Sequence, residues 1–178
     1  TKSIDNRDVP VFLKREMMDQ FPQLKNSNLK HVDYAKKCLS DLFPAKSIKK
    51  ATKLEVNYLK SIIAINQGNA TFKISELPKE VQYSCIKAIS CEDLNGDGQN
   101  DIVLAGNARN MIPQFNTLDA CSGIVLMNIG NGTFEFQSNS QLNLKGEIKD
   151  LESFKLGGKP FLIATQNNDK PVILQFHE

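Results

Sequence analysis

The sequence predicts a mainly β protein with an N-terminal helical segment, and two observations support that fold class. Before Ala51 the apolar residues recur at helical spacing, whereas after it short apolar runs alternate with Gly, Asn and Asp. We therefore expect a helical segment, either an insertion or a cap, over residues 1–50 and a β region over residues 51–178. Hydrophobic residues make up 40% of the chain and charged residues 24%, as in an ordinary globular protein.

The helical segment is predicted from the spacing of its apolar residues. Spacings of three and four separate Val32, Ala35, Leu39 and Leu42. Side chains at this spacing share one face of a helix, so we expect an amphipathic helix over about residues 31–43, ended by Pro44. A shorter helix is expected over residues 11–21 and a further helical turn over residues 45–50.

The β region is predicted to consist of short strands joined by tight polar turns. The candidate strands are residues 53–57, 61–66, 71–75, 84–91, 101–106, 123–128, 133–137, 147–154, 160–165 and 171–176. Several connections, such as Gln67-Gly68-Asn69, have only the length of a hairpin turn. Consecutive strands are therefore expected to be antiparallel neighbours.

One stretch of the β region is repeated. Residues 62–72 and 124–134 each contain an apolar strand followed by Asn-x-Gly-Asn-x-Thr-Phe. One hairpin of this composition could match another by chance, but agreement at all the named positions makes chance a weaker explanation. The two copies lie about sixty residues apart, which is closer to the period of propeller blades than to that of helical solenoids.

A loop between two candidate strands has the composition of a calcium site, and we call residues 93–101 the Asp-rich loop. Oxygen-bearing side chains occupy alternate positions at Asp93, Asn95 and Asp97, and Asp101 follows at the end of the loop. Calcium takes about six to eight oxygen ligands. We expect these four side chains and the main-chain carbonyl of Gln99 to bind one Ca²⁺ ion, with the structural role of fixing the turn between the strands.

Two other interpretations of the Asp-rich loop are less favoured. An EF-hand needs a bidentate Glu at the twelfth position and flanking helices, but Leu104 occupies that position and both flanks are apolar like strands. A plain Asn-Gly or Asp-Gly hairpin turn without metal needs only one such dipeptide. The spaced oxygen ligands therefore favour a metal site over a turn alone.

These motifs resemble the FG-GAP/VCBS repeat, the blade unit of integrin-α-like seven-bladed propellers. The pattern Asp-x-Asn-x-Asp-Gly-x-x-Asp between two strands is the most specific part of the resemblance. The longer similarity is to the C-terminal part of secreted bacterial VCBS-repeat proteins of the ASPIC/UnbV type, and it covers most of the chain. Beyond the loop and the repeated hairpin, it rests on Phe12-Leu13-Lys14, Tyr34-Ala35, Asn57-Tyr58-Leu59, Leu77-Pro78 and Ala105-Gly106-Asn107.

In that family four antiparallel strands make a blade, and the calcium loop joins the first two. The resemblance therefore implies a partial β-propeller with one full blade, made of strands 84–91, 101–106, 123–128 and 133–137. Two strands before this blade and three after it would be parts of neighbouring blades. A partial propeller leaves sheet edges exposed, so we expect the remainder of the propeller to lie upstream in the native protein.

Charge and hydropathy argue against nucleic-acid binding and against a membrane-spanning segment. The formal net charge is +2, and the sequence has no basic stripe interleaved with aromatic residues, so nucleic-acid binding is not expected. No apolar run approaches the roughly 20 residues that a membrane-spanning helix needs, so no membrane span is expected.

The cysteines do not indicate a metal site. They are Cys38, Cys85, Cys91 and Cys121, and none of their spacings is the CxxC of a zinc site. Buried free thiols are the favoured interpretation, because a core of this size needs no disulfides. Two disulfides, of undetermined connectivity, remain the alternative in an oxidising compartment.

The resemblance implies a non-enzymatic, calcium-binding segment of a secreted, cell-surface or outer-membrane-associated protein, acting in adhesion or ligand binding. The alternatives are an extracellular carbohydrate-binding module, for which a chain with three Tyr and no Trp offers few sugar platforms, and an accessory domain of a secreted enzyme. We expect a protein or glycan ligand. Long loops on rigid scaffolds often bind ligands, so Arg109, Met111 and Phe115, in the loop after residue 106, are candidate contact residues.

Overall fold

The computed structural model describes residues 1–138 and 142–176. Strands account for 36% of the structure and helices for 17%, so the prediction of a mainly β protein is confirmed. Within the described residues, no helix is both long enough and apolar enough to cross a bilayer. The chain divides into two compact units. The first comprises Thr1–Asn57 and Ile112–Phe115, and the second comprises Tyr58–Met111 and the described residues from Asn116 onward.

The first unit combines a hairpin with short helices. Strands β1 (Lys2–Ile4) and β2 (Arg7–Val9) pair antiparallel, a hairpin that the sequence did not predict. The helices are α1 (Lys14–Gln20), α2 (His31–Ala35), α3 (Leu39–Leu42) and α4 (Ala45–Lys50). A small core holds them together through the buried side chains of Met17, Leu24, Tyr34 and Leu42.

The prediction of one continuous helix over residues 31–43 is wrong, because α2 and α3 are separate helices. Between them Cys38 is extended, with φ −101° and ψ 176°. The carboxylate of Asp41 accepts the main-chain N–H of Cys38 at 2.9 Å, which caps a new helix start at that point. Val32, expected on the buried face, is 62% exposed. Local capping thus outweighs apolar spacing in helices this short.

The second unit contains the remaining described strands, arranged in three antiparallel sheets. The first sheet is a hairpin of β3 (Ile62–Gly68) and β4 (Thr71–Glu76). The second is a four-stranded meander of β5 (Ile86–Glu92), β6 (Asp101–Gly106), β7 (Ile124–Asn128) and β8 (Phe134–Phe136). The third is a three-stranded meander of β9 (Ile148–Leu156), β10 (Lys159–Gln166) and β11 (Val172–Gln175).

The sheets have the antiparallel order that short connections predict. Each of the three connects strands that are consecutive in the chain, so none contains a crossover. In the described residues the strands form no closed barrel. The interpretation of these sheets as propeller blades stays a prediction.

The strand predicted over residues 53–57 is wrong. This segment has no strand partner among the described residues, and its apolar side chains point into solvent, with Leu54 89% and Val56 77% exposed. Alternating apolar residues favour a strand only where a neighbouring strand accepts and donates the ladder hydrogen bonds. Without such a neighbour among the described residues, the segment forms no strand.

The four-stranded meander is covered on both faces because β6 alternates between two cores. One core joins it to the three-stranded meander through Val103, Ala105, Leu151, Leu162 and Ala164. The core on the opposite face contains Val81, Leu104, Ile124 and Leu126. A register shift between Ile86 and Ala88 of β5 places these two residues in opposite cores, although they are two positions apart.

Candidate functional site

The Asp-rich loop connects β5 to β6 and is curled around one carboxylate. Asp93 accepts the main-chain N–H groups of Gly96 at 2.8 Å, Asp97 at 3.1 Å and Gly98 at 2.8 Å. Gly96 and Gly98 have φ of +77° and +83°, in the left-handed region that glycine adopts without strain. The glycines therefore let the chain turn back towards Asp93.

The side chains of Asn95 and Asp97 meet inside the same curl. Nδ2 of Asn95 donates to Oδ2 of Asp97 at 3.0 Å, and Oδ1 of Asn95 accepts the main-chain N–H of Asp97 at 3.0 Å. Oδ1 of Asp97 accepts the main-chain N–H of Gln99 at 2.8 Å. The structure therefore brings Asp93, Asn95 and Asp97 together, with Gln99 held beside them by its main chain.

Asp101 has a different position, at the buried start of β6. Its side chain is fully buried, and its two oxygens accept main-chain N–H groups, from Leu94 at 3.0 Å and from Asn128 at 2.8 Å. Nδ2 of Asn128 also donates to the carbonyl of Asn100 at 3.1 Å. Asp101 and Asn128 thus fasten the Asp-rich loop to the β7–β8 hairpin.

The Asp-rich loop offers the type of oxygen ligand that calcium binds. Asp93, Asn95 and Asp97 offer hard oxygen ligands within one turn. Among the described residues, no lysine or arginine forms a salt bridge with an aspartate of the loop, so no ion pair there offsets its negative charge. In residues 1–138 and 142–176, no three His, Cys, Asp or Glu side chains are grouped as a metal site. The calcium ligand set therefore stays a prediction.

The two copies of the sequence repeat form the same hairpin turn. Oδ1 of Asn66 accepts the N–H of Gly68 at 2.8 Å, and Oδ1 of Asn128 accepts the N–H of Gly130 at 3.0 Å. The φ values are +84°, +50° and +56° for residues 68–70 and +89°, +54° and +71° for residues 130–132. The repeated sequence therefore encodes one repeated backbone conformation.

Asn107 directly follows β6 and makes connections that sequence reasoning missed. Its fully buried side chain accepts the Ser84 hydroxyl at 2.8 Å and the Cys121 N–H at 3.0 Å. It donates to the carbonyls of Cys121 at 2.7 Å and Gly146 at 3.0 Å. Its φ is +96°, and Asn is among the residues that best tolerate positive φ. An Asn directly after an apolar strand was the available signal.

The structure places the predicted contact residues Arg109, Met111 and Phe115 in different surroundings. The Arg109 guanidinium donates to the carbonyl of Lys145 at 2.7 Å, so it is held within its own unit. Met111 is 41% and Phe115 is 44% exposed. Met111 belongs to the second unit and Phe115 to the first. Their role in partner binding stays a prediction.

A polar cleft of about 450 Å³ lies beside Arg109, with Glu147 and the β10–β11 turn in its wall. Glu147 accepts the main-chain N–H of Arg109 at 3.2 Å and Nδ2 of Asn167 at 3.0 Å. Lys87 lies 3.6 Å and Lys149 3.7 Å from its carboxylate. The hydrogen bond from Arg109 is the largest cause that lowers the pKa of Glu147, and Lys149, Asn167 and Lys87 lower it further.

Comparison with known proteins identifies no relative of this chain. No protein-family model, no curated protein and no solved structure matches this chain. The resemblance to FG-GAP/VCBS repeats therefore rests on the residues of this chain alone and stays a prediction.

Proposed function

We propose that the Asp-rich loop binds a calcium ion and that the chain is a non-enzymatic, calcium-stabilised β-propeller segment of a secreted or cell-surface protein. Asp93, Asn95 and Asp97 would contribute side-chain oxygens, Gln99 its main-chain carbonyl, and Asp101 the closing carboxylate. When bound, the ion would offset two of the three aspartate charges and fix the turn between β5 and β6. The proposed role of the metal is structural.

The main support is the curl of the loop around Asp93. Three main-chain N–H groups hold its carboxylate, and the side chains of Asn95 and Asp97 lie against each other. This arrangement concentrates oxygen atoms and negative charge in a short exposed turn, where no ion pair among the described residues offsets that charge. A divalent cation with oxygen ligands relieves that repulsion.

The fold supports the second part of the proposal. The Asp-rich loop joins the first two strands of a four-stranded meander, which is the place that the family resemblance gives it. A second meander packs face to face on the first through a continuous core. Loops on such a rigid scaffold commonly bind ligands, so adhesion or binding of a protein or glycan is the role we propose.

Thermal unfolding with calcium and with a chelator tests the metal site directly. Calcium at about one hundred times its dissociation constant should stabilise the protein by about 2.7 kcal/mol. The rise in Tm should disappear in Asp97→Ala, which removes a proposed ligand. Asp119→Ala is the matched control, because Asp119 is exposed in the same unit but outside the loop.

The outcomes separate the metal site from a plain turn. A calcium-dependent rise in wild type and in Asp119→Ala, but not in Asp97→Ala, supports the proposal. Identical melts with calcium and chelator in wild type would overturn it. Isothermal titration with calcium would then confirm that the Asp-rich loop is only a turn, if it released no heat.

A further inference from the structure

The chain contains two Asn-Gly dipeptides, Asn95-Gly96 in the Asp-rich loop and Asn131-Gly132 in the β7–β8 turn. Both asparagines are exposed. An asparagine followed by glycine is prone to deamidation, because glycine has no side chain to hinder its main-chain nitrogen and leaves the backbone free to rotate. The structure gives these two dipeptides different surroundings.

Deamidation is a reaction between the asparagine side chain and the main chain that follows it. The nitrogen of the next residue loses its proton and attacks Cγ of the asparagine, and ammonia leaves as a succinimide ring forms. Water then opens the ring to aspartate or to isoaspartate, whose main chain is one carbon longer. The reaction therefore needs a glycine N–H without an acceptor and an asparagine side chain that can turn towards it.

Neither requirement is met at Asn95. The N–H of Gly96 donates to Oδ1 of Asp93 at 2.8 Å, so loss of its proton would place two negative charges side by side. The Asn95 amide is held at both ends, because Nδ2 donates to Oδ2 of Asp97 at 3.0 Å and Oδ1 accepts the Asp97 N–H at 3.0 Å. These hydrogen bonds have to break before the ring can form.

Asn131 has neither restraint. In the described part of the chain, its side chain makes no hydrogen bond and the N–H of Gly132 has no acceptor. Asn69 has the same position in the β3–β4 turn, with φ +50° against +54° for Asn131. Asn69 is also exposed, but Ala70 follows it in place of glycine. The repeated turn therefore supplies an internal comparison in which the following residue differs.

We infer that, of the two Asn-Gly dipeptides, the folded protein deamidates at Asn131, and that the curl of the Asp-rich loop protects Asn95 from the same reaction. The hydrogen bonds that must break at Asn95 should slow it at least about tenfold. The isoaspartyl product lengthens the turn that Asn128 fastens to the Asp-rich loop. This inference goes beyond the proposed calcium function and does not depend on it, since the protecting groups belong to the chain.

A time course of peptide mass spectrometry tests the inference. The full chain is incubated in mildly alkaline buffer with chelator, which removes any contribution from bound metal. It is then digested with pepsin at acid pH, where further deamidation is slow, and fragment ions assign the small mass gain to individual asparagines. We expect Asn131 to convert at least about tenfold faster than Asn95 in the folded protein, and the two to convert at similar rates in urea.

Ala70→Gly should create a new site of deamidation. This substitution gives the β3–β4 turn the same dipeptide as the β7–β8 turn, without strain at a positive φ. In wild type Asn69 should convert more slowly than Asn131, because the Cβ of Ala70 hinders the attacking nitrogen. In the variant Asn69 should convert at a rate close to that of Asn131.

Asp93→Asn should expose Asn95 to the reaction. It removes the charge beside the Gly96 nitrogen and weakens the hydrogen bonds of the curl, so Asn95 should convert several-fold faster than in wild type. Asp119→Asn is the matched control, because it neutralises an exposed aspartate outside the loop and should leave the Asn95 rate unchanged. Circular dichroism checks that each variant keeps the fold.

Several results would overturn the inference. In the folded wild type, these are an Asn95 that converts as fast as Asn131 or an Asn131 that converts no faster than Asn69. A slow Asn95 in urea, or one that stays slow in Asp93→Asn, would show that the curl is not what protects it. An unchanged Asn69 in Ala70→Gly would show that the dipeptide does not determine reactivity in these turns.

Discussion

The buried carboxylate of Asp101 accepts the main-chain N–H of Asn128 at 2.8 Å and that of Leu94 at 3.0 Å. One side chain therefore links the Asp-rich loop, the start of β6 and the β7–β8 hairpin. The repeated hairpin and the candidate calcium loop, which the sequence presents as separate motifs, are parts of one hydrogen-bonded end of the four-stranded meander.

Replacing Asp101 with Ala should destabilise the protein by about 2–4 kcal/mol, because two main-chain N–H groups lose their acceptor. Asp101→Asn should cost less, since it keeps one acceptor oxygen. Urea unfolding in chelator measures both losses without a contribution from metal. Asp119→Ala should change the unfolding free energy by less than about 0.5 kcal/mol. Equal losses at the two aspartates would mean that the Asp101 contacts do not stabilise the fold.

The repeated hairpins offer a matched pair of substitutions, Asn66→Ala and Asn128→Ala. Each removes the acceptor for the N–H of the following glycine, which should cost about 0.5–1.5 kcal/mol. Asn128→Ala also removes the donor to the carbonyl of Asn100, so its loss should be roughly twice as large. Urea unfolding of both variants gives the difference, and a larger loss at Asn66 would contradict this account.

Two variants of Asn107 separate hydrogen bonding from backbone conformation. Both Asn107→Gly and Asn107→Ala remove contacts to Ser84, Cys121 and Gly146, at a cost of about 2–4 kcal/mol. Alanine should cost about 1 kcal/mol more than glycine, because φ here is +96°. Denaturant unfolding measures both. A glycine variant as stable as wild type would show that the buried amide contributes nothing.

Glu147 should make stability depend on acid pH. Its pKa in the folded protein lies below the ordinary 4.5, so the ionised carboxylate stabilises the fold. This contribution is complete above the ordinary pKa and is lost as the pH falls through the lowered folded value. Glu147→Gln should therefore lose less stability than wild type between about pH 5 and about pH 3. Urea titrations across that range measure this, with Glu135→Gln on β8 as the exposed control.

The cysteines should differ in their reaction with iodoacetamide. Cys91 is exposed, whereas Cys121 is 3% exposed and burial raises the pKa of its thiol. Because the thiolate is the reacting form, Cys91 should be alkylated first and Cys121 much more slowly under native conditions. Peptide mass spectrometry over time gives the order, and denatured protein should lose the difference. Equal native rates would contradict the burial of Cys121.

Where local chemistry decides the structure, the sequence predicted it well. The strand over residues 101–106 was predicted with its observed ends, because an aspartate precedes its apolar run and a glycine closes it. The curl of the Asp-rich loop follows from alternating oxygen side chains with Gly96 and Gly98 between them. The hairpin at residues 66–72 was predicted for the same reason.

Where contacts with other parts of the chain determine the structure, the sequence alone was not sufficient to predict it. Residues 53–57 have strand-like alternation but no neighbouring strand, and Asp41 divides a helix that apolar spacing would continue. The β1–β2 hairpin was missed because its strands are only three residues long, too short for periodicity to register. The contacts of Asp101 with Asn128 and of Asn107 with Ser84, Cys121 and Gly146 join segments distant in the chain, so no local pattern could reveal them.

The alternation of β6 between two cores has a consequence for how the protein unfolds. Val103 and Ala105 pack against the three-stranded meander, whereas Leu104 packs with Val81 on the opposite face, so opening either core exposes apolar side chains of the same strand. The loss of one core should therefore weaken the other. We expect β6 to join the two cores into one cooperative unit, and its amides should be the last to exchange with solvent hydrogen.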